Sequence, residues 1–305
     1  MYASIFRKTP TITFKIDNFH LSDGDFLECY WANTKHSTPS SPTVILFHGL
    51  TGSYKSPYIQ GVMHELNLHG FNVVLMHFRG CGDKENLLPR SYHSGESADA
   101  LEYLQHLHKL YPQSKLYAVG YSLGANMLLK LLGEMAENSL LTKAVAISAP
   151  MQLDVCASFI NKGFSKFYQN LLVQNLNKSL DKKYDKHKNM ESLIHLKRED
   201  VNKLQSFWDF DEAYTAPIHG FDSAQDYYTK CSAKQFLKHI LTPTLIIHAK
   251  DDPFMPSSIL PNEDEISKNI TLEVSEHGGH VGFVSGSIFK PVYWSEKRVV
   301  DFFMN

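Results

Sequence analysis

The pentapeptide Gly120-Tyr121-Ser122-Leu123-Gly124 constrains this chain more than any other stretch, because of what flanks it. Lys115 to Val119 upstream reads as a short apolar strand, and Ala125 to Met135 downstream reads as a helix. A G-x-S-x-G sequence between strand and helix fits a tight turn in which the serine is strained and its hydroxyl is pushed out over the sheet. The two glycines let the backbones of strand and helix approach with no Cβ between them. The helix that starts beside the serine offers free N–H groups and a positive dipole end, which favour negative charge on a nearby oxygen.

The rest of the chain supplies the strand and helix alternation that such a turn needs. Thr11 to Phe19 and Phe26 to Ala32, joined by Ser22-Asp23-Gly24-Asp25, read as an antiparallel edge hairpin. Thr43 to Phe47 is a continuous apolar run, as expected of a strand covered on both faces. A helix over Tyr58 to His69 closes at Gly70, and Phe71 to His77 is a second buried strand. Ser97 to Leu110 reads as a helix, with Leu101, Leu104 and Leu107 at helical spacing, and Lys143 to Ser148 as a further strand. The alternation then stops until Ser232 to Ile240 (helix), Thr244 to His248 (strand), Ile270 to Val274 (strand) and Ser295 to Phe303 (helix). These elements predict one α/β domain over residues 1–305, with a mostly parallel central sheet and helices on both faces. Residues 151–234 are then an inserted helical cap over the C-terminal edge of the sheet, with the lysines of Lys178 to Lys188 on a solvated face.

Composition narrows the function class. With 30 Lys+Arg against 32 Asp+Glu the formal charge is −2, which gives no basic field for nucleic acid. Cys29, Cys81, Cys156 and Cys231 are scattered without a C-x-x-C pair, which fits reduced thiols in a cytoplasmic setting. Arg7 and Lys8 are followed by no apolar leader region, and no run approaches the roughly 18 apolar residues of a membrane span. His277 and His280 lack a third ligand at a recognisable spacing, so neither a metal nor a cofactor is expected.

A serine hydroxyl needs a histidine to take its proton and a carboxylate to orient that histidine. In α/β hydrolases these follow in the order Ser, acid, His. Here the strand Thr244 to His248 runs into Asp251-Asp252-Pro253, and the last strand runs into His277-Gly278-Gly279-His280. Asp252 is the favoured acid, with Asp251 as a turn residue and Asp154 as an outside candidate. His280 is favoured over His277 as the base. The backbone N–H groups of Leu123 and Leu50 are the expected oxyanion donors. His48 reads as a brace for its loop, and His77, Arg79 and the Tyr92 to Glu96 stretch as supports for loops near the site.

The chain also resembles the YheT-type α/β hydrolases, a group that includes eukaryotic abhydrolase-domain proteins and yeast medium-chain ester synthases. The resemblance rests on His48-Gly49-Leu50-Thr51-Gly52-Ser53, Phe78-Arg79-Gly80-Cys81-Gly82, Arg90 with Tyr92-His93-Ser94-Gly95-Glu96, and Gly120 to Gly124. It continues through Thr215-Ala216-Pro217-Ile218-His219-Gly220-Phe221, Asp226-Tyr227-Tyr228, Asp251-Asp252-Pro253-Phe254 and His277 to Phe283. It implies a triad of Ser122, Asp252 and His280, and an ester hydrolase or acyltransferase activity on a small-molecule ester. The many aromatics of the insertion suggest a medium-chain acyl or lipid-like ester.

Overall fold

The computed structural model describes residues 7, 9–32, 38, 40–287 and 290–305. Its main sheet is built from β1 (Phe14–His20), β2 (Phe26–Ala32), β3 (Thr43–Phe47), β4 (Asn72–Met76), β5 (Leu116–Tyr121), β6 (Leu141–Ile147), β7 (Thr244–Ala249) and β8 (Ile270–Ser275). Across the sheet the order is β1-β2-β4-β3-β5-β6-β7-β8. β1, β2 and β4 pair antiparallel, and every other pairing is parallel. The hairpin β1-β2 sits at one edge, as its β-forming stretches and the Ser22-Asp23-Gly24-Asp25 turn between them predict.

Successive residues of the central strands point to opposite faces, and each face buries its own helices. Ile45 and Phe47 pack with Leu104 of α2 (Ser97–Leu110) and Leu128 of the helix Leu123–Met135. Val44 and Leu46 pack on the other side with Met63 of α1 (Pro57–Leu68) and Phe303 of the C-terminal helix Trp294–Met304. This two-sided burial is why the central strands read as unbroken apolar runs.

Between β6 and β7 the described residues form helices and turns with no strand. With Leu123–Met135 as α3, they are α4 (Leu153–Ile160), α5 (Ser165–Lys186), α6 (Met190–Ile194), a helical stretch over 207–219, and α7 (Ala224–Cys231). The middle turn of the stretch, Asp211–Thr215, is π-helical. The insertion has an apolar cluster of its own, in which Leu180 and Tyr184 meet Met190, Ile194 and Phe210.

Three expectations change. Ser232 to Ile240 is a 3-10 segment, Ala233–His239, not an α-helix. A second hairpin, Val284–Ser287 with Lys290–Tyr293, was not legible, because two strands of four residues, one rich in Ser and Gly and the other carrying Pro291, show no β pattern. The lysines of α5 are not all solvated. Lys183 is buried, donating to Asn86 Oδ1 and to the Leu88 carbonyl at 2.8 Å, and burial pulls its pKa down to about 8. Lys186 donates to the Asn86 carbonyl at 2.6 Å, so one turn of α5 is tied to the loop that follows β4.

Candidate active site

The turn after β5 is built around steric necessity. Ser122 has φ 52° and ψ −118°, a positive φ that a non-glycine residue holds only under constraint. The constraint is contact on both sides. A Cβ on Gly120 would lie 2.5 Å from the Gly124 carbonyl oxygen, and one on Gly124 would lie 2.6 Å from the carbonyl oxygens of both His48 and Phe47. Both glycines are therefore fixed by close backbone approach, and the Ser122 N–H is fixed by the Ile147 carbonyl at 2.9 Å.

The serine hydroxyl meets a histidine. His280 Nε2 lies 2.9 Å from Ser122 Oγ, and His280 Nδ1 lies 2.8 Å from Asp252 Oδ2. The other oxygen, Asp252 Oδ1, accepts the Phe254 N–H at 2.8 Å. A carboxylate only accepts, so the imidazole proton sits on Nδ1 and the Nε2 lone pair faces the serine hydroxyl. The Asp252 side chain is wholly buried, and the Phe254 ring packs on His280 at 4.6 Å between centroids.

The neighbouring carboxylate has a different task. Asp251 Oδ1 accepts the N–H groups of Gly278 and Gly279 at 2.9 and 2.8 Å, and its other oxygen lies 3.4 Å from His277 Nδ1. These bonds hold the histidine loop in place and pull the Asp251 pKa down, against a burial effect of opposite sign. Gly279 takes φ 59°, the positive value a glycine accommodates. His277 points to solvent, and Asp154 sits in the first turn of α4.

The loop after β3 passes directly over the serine. A Cβ on Gly49 would lie 3.2 Å from Ser122 Cβ. The Gly49 N–H is taken by the Tyr58 hydroxyl at 3.0 Å and the Thr51 N–H by the Tyr92 hydroxyl at 2.9 Å, which leaves Leu50 between two anchored residues. Leu50 and Leu123 both line the cavity that Ser122 and His280 open into. His48 is fully buried and neutral: Nε2 accepts the Phe78 N–H at 3.1 Å, so Nδ1 carries the proton and donates to the Gly49 carbonyl at 2.7 Å. Burial pushes its pKa down to about 3.

Supporting ion pairs lie further out. Arg79 forms two 2.7 Å bonds to Asp99 and further pairs with Asp25 and Asp23. His93, Glu96 and His219 place three ligand-type atoms within 4.8 Å of one another. They do not fit a cation. His93 Nδ1 accepts the Gly95 N–H at 3.1 Å, so its Nε2 carries the proton, and the Glu96 charge is already paired with Arg90. The cluster instead joins the insertion to the 92–96 loop, with the His93 and His219 rings 4.5 Å apart and the Tyr227 hydroxyl accepting the Ser94 N–H at 2.9 Å.

Sequence reasoning passed over Asn126. Its amide donates to the Ser94 and Cys231 carbonyls and accepts from Ala233 N–H, joining α3, the 92–96 loop and the end of α7. The available signal was an uncharged polar residue in the first turn of the helix, among apolar neighbours and ahead of Lys130 and Glu134. Asp211 was also missed. It lines the cavity on the π turn, accepting from Tyr228 and Thr215 hydroxyls at 2.6 Å each, and burial raises its carboxyl to about 6. The cavity itself measures about 590 Å³, with Leu153, Ile160, Leu176 and Phe210 of the insertion among its walls.

A serine on a strained turn at the end of β5, bonded to a histidine that follows β8, is an arrangement shared by a known family. The family model described as the alpha/beta hydrolase fold matches residues 42–287. The chain belongs to the α/β hydrolase family, in its YheT-type branch. It is 38% identical over 301 residues to YheT of Escherichia coli strain K12, named as an inferred esterase, covering 99% of this chain and 88% of that protein. It is 29% identical over 283 residues to the human phospholipase ABHD3, covering 91% of this chain and 68% of the relative. Among solved structures, the Pyrococcus furiosus esterase Pf2001 superposes with a TM-score of 0.62 at 18% identity, covering 98% of this chain and 97% of that one, a likeness of fold. No described helix of this α/β hydrolase is long and apolar enough to cross a membrane.

Proposed function

We propose that the protein is a serine hydrolase that cleaves carboxylic esters through an acyl-enzyme on Ser122. The observation that carries this reading is the series Ser122 Oγ, His280, Asp252, with spacings of 2.9 and 2.8 Å, opening into an apolar-walled cavity. Ser122 Oγ attacks the ester carbonyl while His280 Nε2 takes its proton. The N–H groups of Leu50 and Leu123 hold the oxygen that becomes negative, a contribution of about 3–4 kcal/mol per donor in comparable sites. His280 then passes the proton to the departing alkoxide. A water then attacks the acyl carbon, losing its proton to His280, which passes it to Ser122 Oγ as the acid leaves. Asp252 keeps the ring in the required tautomer and stabilises the imidazolium.

The insertion at 151–234 is the cap of a single hydrolase domain, and its apolar cavity walls support a medium-chain acyl or lipid-like ester. The names of the relatives, an inferred esterase and a phospholipase, support an ester as substrate. All four cysteines are free, which supports a reducing, cytoplasmic setting.

An acyl-chain series of p-nitrophenyl esters tests the reading. It predicts that kcat/KM rises from acetate into the medium chains, and that Ser122→Ala removes turnover at every length. Turnover surviving in Ser122→Ala contradicts it. Alcoholysis, in which the acyl group passes from Ser122 to an alcohol, uses the same intermediate. Product analysis with ethanol present separates the two: ethyl ester exceeding free acid assigns an acyltransferase.

A further inference from the structure

The two helices that wall the cavity have a second face. α4 and α5 turn Ala157, Ile160, Leu172 and Leu176 to the cavity. On the outside, Phe159 is 37% exposed, Phe164 68%, Phe167 59% and Leu171 46%. Single exposed apolar residues are ordinary on a protein surface, but a connected group of large ones marks a contact surface. Two of these are connected through one ring: Phe164 and Phe167 both pack against Tyr168, with centroids 5.6 and 5.9 Å apart. Leu171 follows Phe167 one turn later on the same face of α5. Tyr168 then packs on Phe254 at 5.4 Å, and Phe254 on His280 at 4.6 Å, so an unbroken aromatic path links the outer face to the site.

Along the segment that carries this face the charges have one sign. From Asp154 to Asp181 the chain contains no intervening acidic residue, while Lys162, Lys166 and Lys178 are all exposed. That asymmetry stands out in a protein whose formal charge is −2. An apolar face with a cationic rim is complementary to an anionic lipid surface: phenylalanines enter the acyl boundary and lysines meet the phosphates. A second copy of this chain would oppose the same lysines to each other across a two-fold contact.

We propose that the outer face of α4 and α5, made of Phe159, Phe164, Phe167 and Leu171 with Lys162, Lys166 and Lys178 beside them, seats the protein on an anionic phospholipid surface. Docking stands on this face alone. Delivery of a surface-held ester to the cavity behind it rests, in addition, on the hydrolase reading.

Co-sedimentation of the full chain with sucrose-loaded vesicles tests the proposal. Binding is expected to vesicles of phosphatidylcholine mixed with phosphatidylglycerol, weaker to phosphatidylcholine alone, and weakened by salt. Phe164→Ser with Phe167→Ser should lower the partition about tenfold or more. Lys162→Glu with Lys166→Glu should abolish the preference for phosphatidylglycerol, and Leu110→Ser, at an exposed apolar site on α2 (53%), should change nothing. All variants should hydrolyse a water-soluble short-chain ester at the wild-type rate, a check of folding as well. No binding to either vesicle, or binding undiminished in the phenylalanine pair, overturns the proposal. So does a dimer that the phenylalanine pair dissociates in the absence of vesicle binding, which assigns the face to a second copy. Vesicle binding by a protein that turns over no ester supports docking and overturns only the hydrolase reading.

Discussion

Replacing Asp252 with Asn tests the logic of the site at a single atom. Asp252 Oδ1 accepts the Phe254 N–H at 2.8 Å while Oδ2 faces His280 Nδ1 at 2.8 Å. In Asp252→Asn the amide cannot choose freely between orientations. The Phe254 N–H demands an acceptor, so the amide oxygen takes that position and the NH2 group faces His280. Nδ1 must then accept, which moves the imidazole proton to Nε2, where it points at Ser122 Oγ and removes the base. Volume and burial barely change, so substrate binding should persist. The loss expected from a wrong tautomer is about 10⁴ in kcat, or about 5.5 kcal/mol of transition-state stabilisation. The assay is steady-state hydrolysis of a p-nitrophenyl ester, with KM followed separately and circular dichroism to verify folding. A folded variant with kcat within about tenfold of wild type, a loss of about 1.4 kcal/mol, would refute the tautomer argument.

Other expected outcomes follow from contacts around the site. Gly124→Ala sets a Cβ 2.6 Å from two backbone oxygens that cannot swing aside, so urea denaturation should show a loss of about 3 kcal/mol, and wild-type stability would contradict the packing. Asp211→Asn should alter the dependence of stability on pH. The folded-state carboxyl is raised to about 6 by burial, so its contribution is fully present below the usual carboxylate pKa of about 3.9 and is lost as pH rises through about 6. The variant should therefore gain on wild type between pH 4 and pH 7, by at most about 3 kcal/mol, and parallel stability curves would contradict that. Asn126→Ala removes one side chain that serves three backbone groups, at a cost of about 2–4 kcal/mol in thermal or urea melts, and an unchanged midpoint would show the junction to be dispensable.

What could be read from the sequence was local. The turn at Ser122 announces itself because strand, glycines and helix are adjacent in the chain. The strand end before Asp252 is visible because a buried parallel strand leaves a continuous apolar run, Thr244 to His248, whereas the edge strand before His280 is half-buried and is marked by its β-formers and the glycines that follow. The division of labour between the adjacent carboxylates was only partly visible: the acid choice followed from position, whereas the bonds from Asp251 to Gly278 and Gly279 depend on two loops that meet only in the folded chain. Lys183 illustrates the same limit. Within a lysine-rich helix nothing marks it, and its burial arises from acceptors 97 and 95 residues away in sequence, at Asn86 and Leu88. The insertion was recognisable as helical but not in its turns: at the π turn Asp211–Thr215, Asp211 accepts from Thr215 within the turn and from Tyr228 on the next helix, a pairing that no local pattern announces.

Covalent trapping of the nucleophile bears most directly on the central claim. The protein is incubated with a fluorophosphonate, digested, and mapped by mass spectrometry. The account predicts one stoichiometric adduct on the peptide that carries Ser122, absent in Ser122→Ala and formed far more slowly in His280→Ala. A folded wild-type protein left unlabelled, or an adduct that persists in Ser122→Ala, would contradict it.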